Sequence, residues 1–400
     1  MLKVVSTEKA DEIINEAFSF YALSTQRVGL DCLVGRRLAE DIFSAENVPE
    51  FDRSTVDGFA VSSEDTFGSS ESMPCQLELK GEILMGQAAE CEIGTGECVK
   101  ISTGGMLPKG ADSAVMVETT EELFDGTILI YKAVSPFENV TKKGDDVKEG
   151  QIVLKKGTLL SSKHIGVLAS LGITEAECEK RLKVGIISSG DEIVGVGEKP
   201  QGGQVRDVNS HILAALFREN DFDCELYGIV KDDYSELFEK TKRASEECDI
   251  ILLSGGSSAG ARDMTVKVIN DLGEVFLHGI AMKPGKPTII GRIGKKAVFG
   301  LPGHPAAAYF TARRFALPLA KRISGCTIDT KAVRASTATN ISSNNGREEF
   351  IPVKLEDKAA YPIFHKSGVI SLLSEADGYI VIDRNREGLR AQEDVEVKLF

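Results

Sequence analysis

The chain has 400 residues, 42% of them hydrophobic and 27% charged, with a formal net charge of −14. That length exceeds one ordinary hydrophobic core and predicts two to four domains. So negative a surface argues against nucleic acid, whose binding depends on neutralising phosphates. No apolar run approaches the roughly 20 residues of a membrane-spanning helix. The opening MLKVVSTEKADEIINEAF lacks the apolar core and cleavage site of a signal peptide, so the expectation is a cytoplasmic protein with no membrane partner. The eight cysteines form no CxxC pair and only five histidines accompany them, which predicts reduced thiols rather than a zinc framework.

In chain order, residues 6–21 predict a helix capped by Ser6 or Thr7, with Ile13, Ile14, Ala17 and Phe18 on one face. From about 45 to 180, short β-like runs such as GEILMGQ, GECVKIS and GTILIYK alternate with glycine and acidic turns, with one short helix near 162–170. Between 182 and 325 strands and helices alternate. VGIIS (184–188) is a strand and NSHILAALFREND a helix capped at Asn209 or Ser210. LYGIVKDD, YSELFEKTKRASEE and DIILLSGG then read as strand, helix and strand. A helix from about 262, a strand near 275–281, a hairpin ending in AVFGLPG and a long helix over 305–323 follow. Continuous apolar strands alternating with helices predict a mostly parallel sheet covered on both faces. The last 75 residues return to short β patterns and suit a small barrel or sandwich.

The stretch LLSGGSSAGARD (252–263) ends a buried strand in glycines and serines. In open α/β sheets ligands bind beyond the carboxyl ends of the strands. There Gly255, Gly256, Ser257, Ser258 and Gly260 can turn successive N–H groups inward as a nest for an anion, aided by the dipole of the helix that follows. Equally, such a loop serves as a plain tight connection, and neither a Walker loop nor GxGxxG is present. MKPGKP (282–287) presents Lys283 and Lys286 from a proline-stiffened turn, either as a phosphate site or as solvated lysines. LPGHP (301–305) contributes Pro302, His304 and Pro305, the last also an ordinary helix start. Asp191 and Glu192, Asp232 and Asp233, and Asp263 close the neighbouring loops. Carboxylates beside an anion cradle suggest Mg2+, while capping and turn chemistry explain each acid singly. Farther back, Asp57 sits in PEFDRSTVDGFAV and Thr103 in ISTGGMLPKGAD; each alone is an ordinary turn.

FDRSTVDGFAV, ISTGGMLPKGADSAVMVE, KKGDDVKEG, SSGDEIV, LSGGSSAGARD, MKPGKP and LPGHPAAA follow one another along the chain. This ordered series, covering nearly the whole chain, resembles the molybdopterin molybdenumtransferase (MoeA-type) family, related to the gephyrin E domain. The resemblance implies a multidomain α/β plus β fold. A three-layer doubly wound α/β domain of molybdopterin-binding type is joined by a β-rich insertion domain, an elongated linking domain and a C-terminal β-barrel. On this chain the boundaries fall at 1–44 (helix and start of the linking domain), 45–146 (β-rich), 147–180 (return through the linking domain), 181–326 (α/β) and 327–400 (barrel). The implied activity is Mg2+-dependent insertion of molybdate, or tungstate, into adenylated molybdopterin with release of AMP. It would be carried out by a homodimer with an intersubunit site, in contact with a molybdopterin adenylyltransferase.

By the same resemblance, Asp57, Thr103, Asp146, Glu192, Asp232 and Asp263 stand on catalytic positions, with Glu192 and Asp263 as metal ligands. Lys283, Lys286, Pro302, Pro305 and, in looser matches, Arg347 and Ser367 stand on cofactor-binding positions beside the 255–260 loop. The departures are SSGDE for the family's STGDE, GGSSAG for GGVSVG and LPGHP for LPGNP; His304 is the largest, since imidazole titrates near neutrality. Two competing readings are adenylyl transfer to molybdopterin and a non-catalytic cofactor-binding scaffold. The full motif series argues against the first, and the retained acidic positions against the second.

Overall fold

The computed structural model of the protein describes residues 4–255, 259–326, 331–364 and 371–400. They form two compact units, residues 26–178 and residues up to 25 together with 179–400.

In the larger unit a six-stranded sheet runs in the order Asp223–Val230, Lys183–Ser189, Ile250–Gly255, Lys296–Leu301, Ile289–Ile293, Glu274–His278. The first four strands are parallel; the Ile289 strand runs antiparallel to both its neighbours, so the Glu274 strand runs in the same direction as the first four. Strand alternation sends Ile186, Leu252 and Phe299 to one face, against Leu213 and Phe217 of the helix Asn209–Arg218. Ile187, Leu253 and Val298 go to the other, against Leu237 and Ala244 of Tyr234–Glu247 and Val268 of Ala259–Leu272. Two-sided burial is why these strands are apolar without alternation. The result is the three-layer arrangement expected from the sequence.

The N-terminal helix spans Thr7–Ala17, four residues short of the predicted 21, with Ser6 accepting from the Lys9 N–H at 3.2 Å. Its Ala10, Ile14 and Phe18 join the sheet core, while Ile13 and Ala17 lie at the margin. The cap expected at Asn209 or Ser210 is displaced. Both residues are buried inside the helix, and Asp207 takes the capping role, its carboxylate accepting the Ser210 N–H at 3.1 Å and hydroxyl at 2.6 Å. The predicted helix over 305–323 begins at Pro305 but contains a π-helical turn, Ala312–Ala316, between Pro305–Thr311 and Leu317–Ile323.

After the α/β region the chain forms a closed five-stranded barrel, Glu348–Glu356, Ala359–Pro362, Ala332–Thr337, Asp394–Leu399 and Gly378–Ile382, the last pairing back to the first. Ala335, Val353, Ile380 and Val397 fill it. The short strand Met282–Lys283 leaves the α/β region to pair in parallel with Glu348 and Glu349. This pairing joins the MKPGKP turn to the barrel.

The 26–178 unit holds another six-stranded sheet, built around Gly58–Val61, Glu97–Ile101 and Cys75–Ile83 and packed on Phe59, Leu77, Val115 and Ile128. A separate small core of Val28, Leu33, Leu38, Leu160 and Leu168 gathers residues near both ends of the unit, including the helix Ser162–Ser170. All eight cysteines are free, and burial pushes the Cys98 thiol up to about 12. Among the described residues no helix is long and apolar enough to cross a membrane.

Candidate active site

The carboxyl ends of the parallel strands meet along one edge of the sheet. Gly255 has φ +143°, and a Cβ there would lie 2.0 Å from the Ser189 carbonyl oxygen, so only glycine lets these two strand ends approach. Gly190 N–H donates to the Val230 carbonyl at 3.0 Å. Asp232 N–H donates to Asp191 Oδ1 at 3.1 Å, and Lys231 Nζ to the Asp191 and Ile193 carbonyls. This network sets Asp191, Glu192 and Asp232 close together. Burial, then the charges of Asp191 and Glu192, hold the Asp232 carboxyl above its usual range.

Beneath this edge lies a buried polar layer that sequence reasoning missed. Ser188 Oγ donates to Asp207 at 2.8 Å, and Asn209 Nδ2 donates to Ser254 Oγ at 2.8 Å and the Gly303 carbonyl at 2.9 Å. Asn209 thereby ties the end of the 250–255 strand to the LPGHP loop. The available signal was RDVNS, an acid three residues before a serine at a helix start. Gly255, Pro302 and His304 line a small hollow of about 170 Å3 here. Asp263 is exposed near the start of its helix, and Gly260 lies in that helix. Gly256, Ser257 and Ser258, the centre of the expected nest, lie outside the described residues, as does Ser367.

A larger cavity of about 780 Å3 brings together Lys283, Lys286, Pro302, His304 and Arg347. The MKPGKP turn is held from behind: Thr288 Oγ1 donates to the Gly285 carbonyl at 2.6 Å, and Ile280 N–H to the Lys286 carbonyl at 3.0 Å. Gly285 has φ +125°, and a Cβ there would lie 2.6 Å from Thr311 Oγ1. Pro305 starts the adjoining helix. A residue absent from the sequence-based set completes the cavity. Glu349, only 7% exposed, pairs with Lys283 at 2.7 Å and accepts from Ser343 Oγ at 2.6 Å. The signal was an acid inside an apolar strand, REEFIPV, which demands a buried partner.

In the 26–178 unit, the 49–57, 102–107 and 140–147 loops converge. Thr103 N–H donates to Asp57 Oδ1 at 2.7 Å, Gly104 N–H to the Ser54 carbonyl at 2.7 Å, and Lys143 N–H to Asp52 Oδ1 at 2.7 Å. Asp57 and Thr103 are thus in contact, both exposed. Asp146 is exposed on the adjacent loop, its N–H donating to the Val48 carbonyl at 3.0 Å. Gly58 follows Asp57 because a Cβ there would lie 1.8 Å from the Val115 carbonyl oxygen.

Three clusters thus carry the motifs. A cationic cavity, a carboxylate-lined sheet edge and a set of exposed polar loops are what a reaction between anions needs. Residues 5–172 match the family model described as "MoeA N-terminal region (domain I and II)", residues 185–322 the "Probable molybdopterin binding domain" and residues 334–400 the "MoeA C-terminal region (domain IV)". The chain is 32% identical over 390 residues to a molybdopterin molybdenumtransferase of Haemophilus influenzae, covering 95% of each. It is 31% identical over 399 residues to one of Staphylococcus aureus, covering 98% of this chain and 94% of that one. A solved molybdopterin biosynthesis MoeA protein of Pyrococcus superposes with a TM-score of 0.88 at 39% identity, covering 99% of both chains. With all three regions matched in order and relatives aligned almost end to end, the chain belongs to the MoeA family.

Proposed function

We propose that the protein inserts molybdate into adenylated molybdopterin in molybdenum cofactor synthesis, with Mg2+ and release of AMP. The observation that carries this reading is the single cavity shared by Lys283, Lys286 and Arg347. A tetrahedral dianion there meets three cationic groups, one of them a planar fork, while the proline-bounded turns keep the walls fixed. Glu349 holds the Lys283 ammonium at a defined place. Tungstate, with the same charge and nearly the same size, fits the same groups.

The donor set at the sheet edge fits a hard divalent cation. Asp232 is destabilised as a carboxylate by burial and by Asp191 and Glu192, a state that a bound cation relieves. Among the described residues no three carboxylate, imidazole or thiolate groups close a metal cage, but Mg2+ needs only one or two carboxylates beside waters and substrate phosphates. Glu192 and Asp263, with Asp232 nearby, would hold it. Bound there, it would neutralise charge on the phosphoanhydride as AMP leaves. Backbone N–H groups of the 255–260 loop, with the hydroxyls of Thr103 and Ser367, would position the phosphate and oxyanion. Asp57 or Asp146 would be the carboxylate for proton transfer, with Thr103 beside Asp57. In this reading those three enter from a second copy, making the working unit a homodimer in the cytoplasm, supplied by a molybdopterin adenylyltransferase. The domain partition at 44, 146, 180 and 326 belongs to the same reading.

The test is AMP release from adenylated molybdopterin and Mg2+, with and without molybdate. Molybdate-dependent release with metal retained on the pterin supports the reading. Binding without release under either oxyanion overturns it.

A further inference from the structure

A second cavity, of about 880 Å3, lies across the barrel strand from the first. Glu348 and Glu349 are successive residues of that strand, so their side chains leave opposite faces. Glu349 lines the first cavity, Glu348 the second. Among the described residues the second wall carries six cationic side chains against three carboxylates, on a chain whose net charge is −14.

The acids are mostly spent. Arg314 alone engages two of the three, with Nη1 and Nη2 donating to Asp11 at 2.9 and 2.7 Å and Nε donating to Glu348 at 3.0 Å. Glu219 shares the wall with Arg313, Lys321, Arg322, Lys331 and Lys398, none of which makes an ion pair among the described residues. Backbone contacts bring the Arg313, Lys331 and Lys398 positions together at one strand end. Arg313 Nη2 donates to the Leu399 carbonyl at 2.7 Å, Leu399 N–H donates to the Lys331 carbonyl at 2.9 Å, and Lys398 pairs with Ala332 across the same two strands. Arg313 belongs to the π turn, a feature common at functional sites. Its guanidinium lies over the rings of Tyr379 and Phe400, 5.5 Å from each centroid. Phe350 and Tyr379 are buried behind this wall, and Phe400, 41% exposed, puts one aromatic ring at the cavity surface.

We propose that this cavity is a second anion site, separate from the one holding Lys283 and Lys286, that binds a phosphorylated small molecule bearing a flat ring, of nucleotide size. Its volume falls in the range of small-molecule sites. Several cations without an ion-pair partner match several phosphate charges, and the exposed Phe400 ring matches the ring of the ligand. An extended nucleic acid is disfavoured by the charge of the rest of the surface.

The test is calorimetric titration of the full-length protein with ATP and with tripolyphosphate. ATP should bind saturably below about 1 mM. Lys331→Glu with Lys398→Glu should weaken it at least about thirtyfold, the milder Gln pair about tenfold, and Lys283→Ala with Lys286→Ala by less than about threefold. The Lys331/Lys398 variants should keep the wild-type melting temperature and molybdate-dependent AMP release, which reports on the first cavity. Absence of saturable binding overturns the proposal, as does loss of binding confined to the Lys283/Lys286 variant. Tripolyphosphate binding as tightly as ATP overturns the ring-bearing ligand.

Discussion

Glu349 offers the sharpest test of how the first cavity works. Its carboxylate lies 2.7 Å from the Lys283 ammonium, the group an incoming oxyanion needs. At that separation the attraction is about 6 kcal/mol for an effective dielectric constant of ~20 and about 1.5 kcal/mol for a water-like value. Lys283 is 45% exposed, so the lower figure applies. An oxyanion that draws Lys283 away forgoes roughly that attraction. Glu349→Gln keeps the shape and an acceptor for Ser343 while removing the charge. It should therefore tighten oxyanion binding by about 1.5 kcal/mol, roughly tenfold in Kd. Turnover should fall at the same time, because a neutral acceptor moors the ammonium less firmly. Isothermal titration with molybdate and tungstate measures the first effect, and saturating AMP-release kinetics the second. The gap between wild type and variant should narrow as salt rises. An unchanged or weakened Kd in a variant with normal thermal stability would show that Glu349 does not compete with the oxyanion, and the argument fails.

Three further outcomes follow from the sheet edge. Asn209→Ala removes two buried hydrogen bonds, to Ser254 and Gly303, and should cost about 1–3 kcal/mol by urea denaturation while loosening the LPGHP loop; a change within error would assign the loop's position to packing alone. Gly255→Ala drives a methyl group to 2.0 Å from the Ser189 carbonyl and should cost about 2–4 kcal/mol or leave the protein insoluble on expression, whereas a wild-type urea midpoint contradicts the close approach. Asp232 has its folded-state pKa raised, so its favourable contribution is complete below the ordinary 3.8 and is lost as pH climbs through the folded value, leaving a penalty at neutrality. Asp232→Asn should then raise the melting temperature at pH 7 by an amount worth a few tenths of a kcal/mol, with the gain vanishing in acid. Millimolar Mg2+ should stabilise wild type more than the variant, and equal stabilisation would remove Asp232 from the cation's surroundings.

The architecture was legible because it rests on local patterns. Continuous apolar runs at 184–188 and 250–253, each followed by a loop and a helix with a 3.6-residue apolar stripe, leave little freedom beyond a covered parallel sheet. Helix ends were harder, since Asp207 caps its helix from two residues before the predicted cap, and its buried partners Ser188 and Ser210 make that role plain where RDVNS alone only hints at it. The π turn at 312–316 left no mark in the apolar pattern, which continues through it.

Within the site, legibility followed chain distance. MKPGKP and LPGHP are visible because proline and glycine betray a fixed backbone. That Arg347 shares a cavity with Lys283 depends on a two-residue parallel pairing between Met282–Lys283 and Glu348–Glu349, sixty-six positions apart, which no local pattern encodes. The same register decides what REEF does. Shifted by one residue, Glu348 would face Lys283, and Glu349 would face Arg314. The two acids would keep their number but exchange partners, a compact lysine for a forked arginine already bound to Asp11. The barrel's contribution to the site is therefore a matter of register, and its two faces are the one structural reason a single strand serves two cationic cavities.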